Sequence, residues 1–223
     1  MFYEPKQASR DFLASLGLDH NPFLALVAPR PIGWVSTVNA TGVPNLAPFS
    51  FFNAVAARPP MVMFCANGSH TEGGAKDSLA NARETGEFVW NLATWDLRQA
   101  MNDSSAPAPH AVDEFAATGL TKAPSRLVKP PRVAESPVHL ECTVIKFVEL
   151  PADEKSGALN TVTFGRVVGI HIDDRLVVNG RVDITLVRPL ARLGYLDYAS
   201  VDSVFEIKRP GWPIGAPPKG GEG

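Results

Sequence analysis

The chain has 223 residues, 45% hydrophobic and 20% charged, with a net charge of -2 and a pI near 6.2. This balance offers no basic face for nucleic acid. No window reaches the roughly 18 uninterrupted apolar residues of a membrane span, and the N-terminal "MFYEPKQASRDF" lacks a basic region followed by an apolar run, so a cytoplasmic protein is expected.

The 20 prolines exceed the usual share of about 5% and argue for many turns rather than long helices. Arg10 to Gly17 reads as a short leading helix, followed by a strand in which Ile32, Trp34, Ser36 and Val38 share one face and Gly33, Val35 and Thr37 the other. Asn39 to Gly42 has hairpin-turn chemistry. The return segment "VPNLAPFSFFNAV" is expected to be an irregular or bulged edge, because Pro44 and Pro48 lack a ladder donor.

Met61 to Ala66 is a further strand, and Asp77 or Ser78 is placed to cap a helix ending at Gly86. "EFVWNLA" is the next strand, and Thr94 or Asp96 can cap a helix from about Trp95 to Asn102. Residues 104–136 form a Pro- and Ala-rich surface excursion with a helical turn at "AVDEFAATG". The strands "VHLECTVIKFVEL", "NTVTFGRVVGIHIDD" and "RLVVNG" follow, and the Pro/Gly-rich end is expected to be disordered over 214–223. The fold class is mainly β with short helices, an antiparallel barrel in one domain over 1–213.

Cys65 and Cys142 lie in apolar stretches and read as buried reduced thiols. His20, His70, His110 and His139 show no metal-ligand spacing, and neither GxGxxG nor a nucleophile elbow occurs. The segment "RPIGWVSTVNATGVPNLAPFSFFN" needs another account, being dense in hydroxyls, amides and prolines. A flat ring with a hydrogen-bonding edge and a terminal phosphate fits it. Backbone donors would serve the edge, while Ser36, Thr37, Lys76, Asp77 and Ser78 gather hydroxyls and a cation near a helix start.

Three stretches carry a family resemblance: "PRPIGWVSTVNATGVPNLAPFSFFN" at 29–53, "KDSLANARETGEFVWNL" at 76–92, and "GRVVGIHIDD" with "PLARLGYLDYA" within 165–199. With these the chain resembles the flavin reductase-like proteins, which have an FMN-binding split barrel. The resemblance implies that the Ser36 to Asn53 element wraps the flavin through Asn45, Leu46, Ala47, Pro48, Phe49, Ser50, Phe52 and Asn53. It also implies that Lys76, Asp77 and Ser78 approach the phosphate, with Asn81 one turn further on. Trp34 is a further flavin contact to test, against a core role. Arg192 and Tyr198 fall where the family approaches the neighbouring subunit's pocket, and Tyr195 stands where a glycine is common.

The implied activity is an NADH- or NADPH-dependent FMN reductase, a homodimer that supplies a partner monooxygenase or another electron acceptor. The alternative is an FMN-binding electron carrier. His171 is the candidate catalytic residue, expected to face the nicotinamide, and no metal is expected.

Overall fold

The computed structural model describes residues 1–110, 112–154 and 156–214. Apart from Ile214, the expected disordered tail lies outside the described residues. Helix α1 (Arg10–Ser15) begins where the Ser9 hydroxyl accepts a bond from the Phe12 N–H. The main sheet has seven strands: β1 (Gly33–Val38), β2 (Pro44–Phe49), β3 (Phe52–Ala57), β4 (Pro60–Asn67), β5 (Glu87–Asn91), β6 (Val138–Leu150) and β7 (Asn160–Ile172). Their order is β2-β1-β5-β6-β7-β4-β3, with every pairing antiparallel.

The two edge strands are consecutive in the chain, and both feed one core. Phe49 at the end of β2 and Phe52 at the start of β3 pack with Val35, Phe64 and Phe88. The sheet is thus brought round on itself by packing and by the Ser50–Phe51 link, while among the described residues no strand pairing joins its two edges. Gly33 makes the approach possible, since a Cβ there would meet the Phe52 side chain at 2.7 Å. Burying each of these phenylalanines contributes about 1.5–3 kcal/mol.

The expected two faces of β1 are both buried, each in a different cluster. Val35 belongs to the barrel core, while Ile32 and Trp34 pack with Leu46, Met101 and Phe115. Met101 and Phe115 come from α3 (Arg98–Asp103) and α4 (Glu114–Ala117). Helix α3 begins later than expected, and neither Thr94 nor Asp96 caps it: Leu97 is at its N-cap, without a side-chain cap bond.

Strand β2 is at a sheet edge, as expected, but its register with β1 is regular from Gly33↔Phe49 to Val38↔Pro44. The reason is parity. Leu46 sends its N–H away from β1 to Glu114, so the N–H groups missing at Pro44 and Pro48 fall on that same outward side. A smaller antiparallel sheet joins Arg30–Pro31, Leu190–Arg192 and Tyr198–Ser200. Among the described residues, no helix is long and apolar enough to cross a membrane.

Candidate functional site

The site is built around α2 (Asp77–Thr85), which ends at Gly86 in a left-handed conformation, as the sequence suggests. Its start differs from expectation. Lys76 is the N-cap residue and no side chain caps the helix. Its first backbone donors are therefore left without a side-chain acceptor. Asp77 does not cap because its carboxylate is engaged elsewhere, with Oδ1 2.5 Å from His110 Nδ1 and Oδ2 3.7 Å from His70 Nε2.

Lys76, Asp77 and Ser78 border a cavity of about 260 Å³ whose other walls include Asn45, Ala47, Pro48 and Phe49. The segment Ser104–Ala108 closes one side, and Glu114 lies behind Asn45. Lys76 is half-buried and has no carboxylate partner among the described residues. A second cavity, of about 190 Å³, shares Pro48 and Ser105 with the first and is lined also by Ser50, Arg30, Arg192 and Tyr198.

Behind the first cavity, a buried polar network fixes the wall. Asn45 donates to Glu114 Oε1 at 3.0 Å and accepts from the Ser78 hydroxyl at 2.7 Å. Asn81 donates to Thr37 Oγ1 at 3.1 Å, and Thr37 reaches Asn45 at 3.5 Å. Thr37 is fully buried, so it and Asn81 serve the cavity through Asn45 and Ser78. Burial pushes the Glu114 carboxyl upward, opposed by its bonds from the Leu46 N–H and Asn45.

Several expected contacts are placed elsewhere. Trp34 and Leu46 are fully buried core residues, the indole N–H donating to Ser104 Oγ at 3.0 Å. Phe52 is in the barrel core, stacked on Trp90 with 5.4 Å between centroids. Ser36 is fully buried and donates to the Pro131 carbonyl, fastening the excursion to the sheet. Asn53 lines neither cavity and accepts from the Ala54 N–H.

His171, expected to face the nicotinamide, lines neither cavity, and its Nε2 lies 2.5 Å from Oε1 of the buried Glu141. Glu141 also accepts from the N–H groups of Arg126 and Leu127. These bonds hold its pKa down against the burial that raises it. Side chains on this sheet face serve as fasteners for the Pro-rich excursion: Asn91 accepts from the Val133 N–H, and His139 bonds the Val133 carbonyl.

Sequence spacing did not reveal that His70 and His110 meet at Asp77, giving three ligand atoms within 4.8 Å of one another. Their rings stack, with 3.7 Å between centroids and 19° between planes. In-plane lone pairs on stacked rings run side by side instead of converging. His70 Nδ1 accepts from the Glu72 N–H and Nε2 bonds the Ala108 carbonyl, so the trio holds the 106–110 segment as a hydrogen-bonded clasp. His110 is raised in pKa mainly by its hydrogen bond to Asp77. Glu114, His70 and His110 had no spacing signal, because segments far apart in sequence bring Glu114 and His70 to the cavity and His110 to Asp77.

Residues 26–186 match the family model described as flavin reductase like domain. An uncharacterized protein of Aquifex aeolicus is 38% identical over 186 residues, covering 83% of this chain and 91% of its own. Nitrilotriacetate monooxygenase component B from Bacillus cereus superposes with a TM-score of 0.80 at 30% identity, over 93% of this chain and 98% of the other. For the Pseudomonas fluorescens 2-nitrobenzoate 2-nitroreductase the TM-score is 0.77 at 24% identity, over 97% and 100% of the chains, which speaks to fold alone. The chain belongs to the flavin reductase-like family, and its fold is the split barrel. This membership makes it a flavin-related oxidoreductase.

Proposed function

We propose that the protein binds FMN in the first cavity and acts as an NADH- or NADPH-dependent FMN reductase, delivering reduced flavin or electrons to a partner monooxygenase or another acceptor. The uncapped start of α2 supports this reading most strongly. Free helix N–H groups beside an unpaired lysine suit a terminal phosphate. Asp77 is the unfavourable group there, and its carboxylate is turned to His110 and His70. FMN ends in such a phosphate, whereas in FAD it is bridged to a nucleotide.

When bound, the flavin supplies two-electron redox chemistry that no side chain here offers. The chain's own residues bind and orient it. Lys76 would neutralise the phosphate, Ser78 is held by Asn45, and the Ala47–Phe49 wall would line the ring. Ser105–Ala108 cover one side of the cavity.

A homodimer in the cytoplasm, with one domain over 1–213, belongs to the same reading. Val168, Ile170 and Ile172 alternate outward along β7, and Val204, Phe205, Ile207 and Trp212 are exposed on the C-terminal segment. So much apolar surface favours cover by a second copy. The test of activity is NADH and NADPH oxidation by purified protein with and without added FMN. Turnover that requires both protein and FMN is expected, whereas flavin binding without turnover would leave an electron carrier.

A further inference from the structure

The second cavity is distinguished by its charge. Its only charged lining residues are Arg30 and Arg192, which face each other as a register pair between Arg30–Pro31 and Leu190–Arg192. Arg30 is 7% exposed, and burial together with the like charge of Arg192 lowers its pKa. Its guanidinium donates to the carbonyls of Leu24, Val27 and Leu193, which satisfy donors without cancelling charge, and its Nε has no partner. Arg192 bonds the Tyr195 carbonyl and lies 4.4 Å over the Tyr198 ring. Neither arginine has a carboxylate partner among the described residues.

Two like charges beside one cavity are unfavourable until an anion joins them. The surrounding loop is shaped to hold that arrangement. Tyr195 has a left-handed backbone, φ 54°, which explains why glycine suits the position. Gly194 is pressed against Ala25, where a Cβ would come within 2.3 Å. The wall carrying Arg192 is thereby fixed to the segment whose carbonyls hold Arg30.

We infer that this cavity is a binding site for a small aromatic carboxylate. Guanidinium forks match the two oxygens of a carboxylate, while Tyr198, Ile32 and Pro48 offer faces to a ring. A volume of about 190 Å³ accommodates one substituted ring and excludes a whole dinucleotide, whose size calls for a larger pocket. Because Pro48 and Ser105 are shared walls, the ligand sits next to the first cavity. Its position beside a flavin rests on the function proposed above, but the anion site does not.

The test is calorimetric titration of flavin-free, full-length protein with benzoate, with neutral benzamide and with inorganic phosphate. Saturable benzoate binding is expected, with benzamide weaker by about tenfold or more, as loss of a charge-assisted pair predicts. Arg192→Met should weaken benzoate by about tenfold or more while its circular dichroism spectrum is retained. Arg30 is unsuitable for this purpose, because it also ties three backbone carbonyls. Equal binding of benzoate and benzamide, unchanged affinity in Arg192→Met, or displacement of benzoate by phosphate would each overturn the carboxylate site. Repeating the titration with FMN present reads adjacency separately: benzoate should perturb the flavin's visible spectrum, and a benzoate isotherm with no FMN bound would count against the flavin reading alone.

Discussion

His171 contacts Glu141 across neighbouring strands, with 2.5 Å between Nε2 and Oε1 and the glutamate fully buried. Glu141 in turn receives the N–H groups of Arg126 and Leu127, so the pair anchors the start of the excursion's return to the sheet. His171→Ala removes a hydrogen bond to a buried carboxylate and should cost about 1.5–3 kcal/mol of stability. Flavin reduction should keep its parental rate. Urea unfolding and stopped-flow reduction of the same variant check both halves, and a slowed reduction with unchanged stability would restore His171 to the chemistry.

His139 gives the fold an acid limit. Burial depresses its pKa to about 4 from 6.5. A histidine depressed in the folded state binds more protons when unfolded, so stability rises with pH between about 4 and 6.5 and is lost on acidification through that window. The loss should amount to at most about 3 kcal/mol. Glu141, lowered in pKa from 4.5, adds a loss of its own only at the acid end of this range and below it. Unfolding midpoints at pH 7 and pH 5 should differ less in a folded His139→Gln variant than in the parent.

The C-terminal segment is expected to hold the dimer. Phe205, Ile207 and Trp212 are each more than four-fifths exposed in the single chain. Deleting residues from 201 onward should shift sedimentation toward monomer at micromolar concentration. An unchanged dimer would move the interface to the β7 face, and a monomeric parent would remove the dimer altogether.

The hairpin at Asn39–Gly42, the glycine stop at Gly86 and the long strands β6 and β7 were legible because each depends on local chemistry. A shared site for Asn45, Lys76 and Ser78 was legible only as a resemblance, and the structure gathers those residues at one cavity. Ser36 and Trp34 misled because a hydroxyl or indole on a strand carries no sign of which layer will cover it. Here the Pro131 carbonyl and Ser104 do so, from a loop with no periodicity. Glu114 was missed for the same reason, although its two oxygens organise Asn45 and Leu46. The regular pairing of β2 could have been anticipated, since Pro44 and Pro48 share one parity.

The start of α2 and Lys76 are proposed to hold the flavin's phosphate, and the most direct measurement compares FMN with riboflavin, which lacks it. Titrated by flavin fluorescence quenching, the parent should bind FMN at least about tenfold more tightly than riboflavin, and Lys76→Ala should lose about 1.5–3 kcal/mol for FMN while leaving riboflavin unchanged. Equal affinities for the two flavins in the parent would contradict the account.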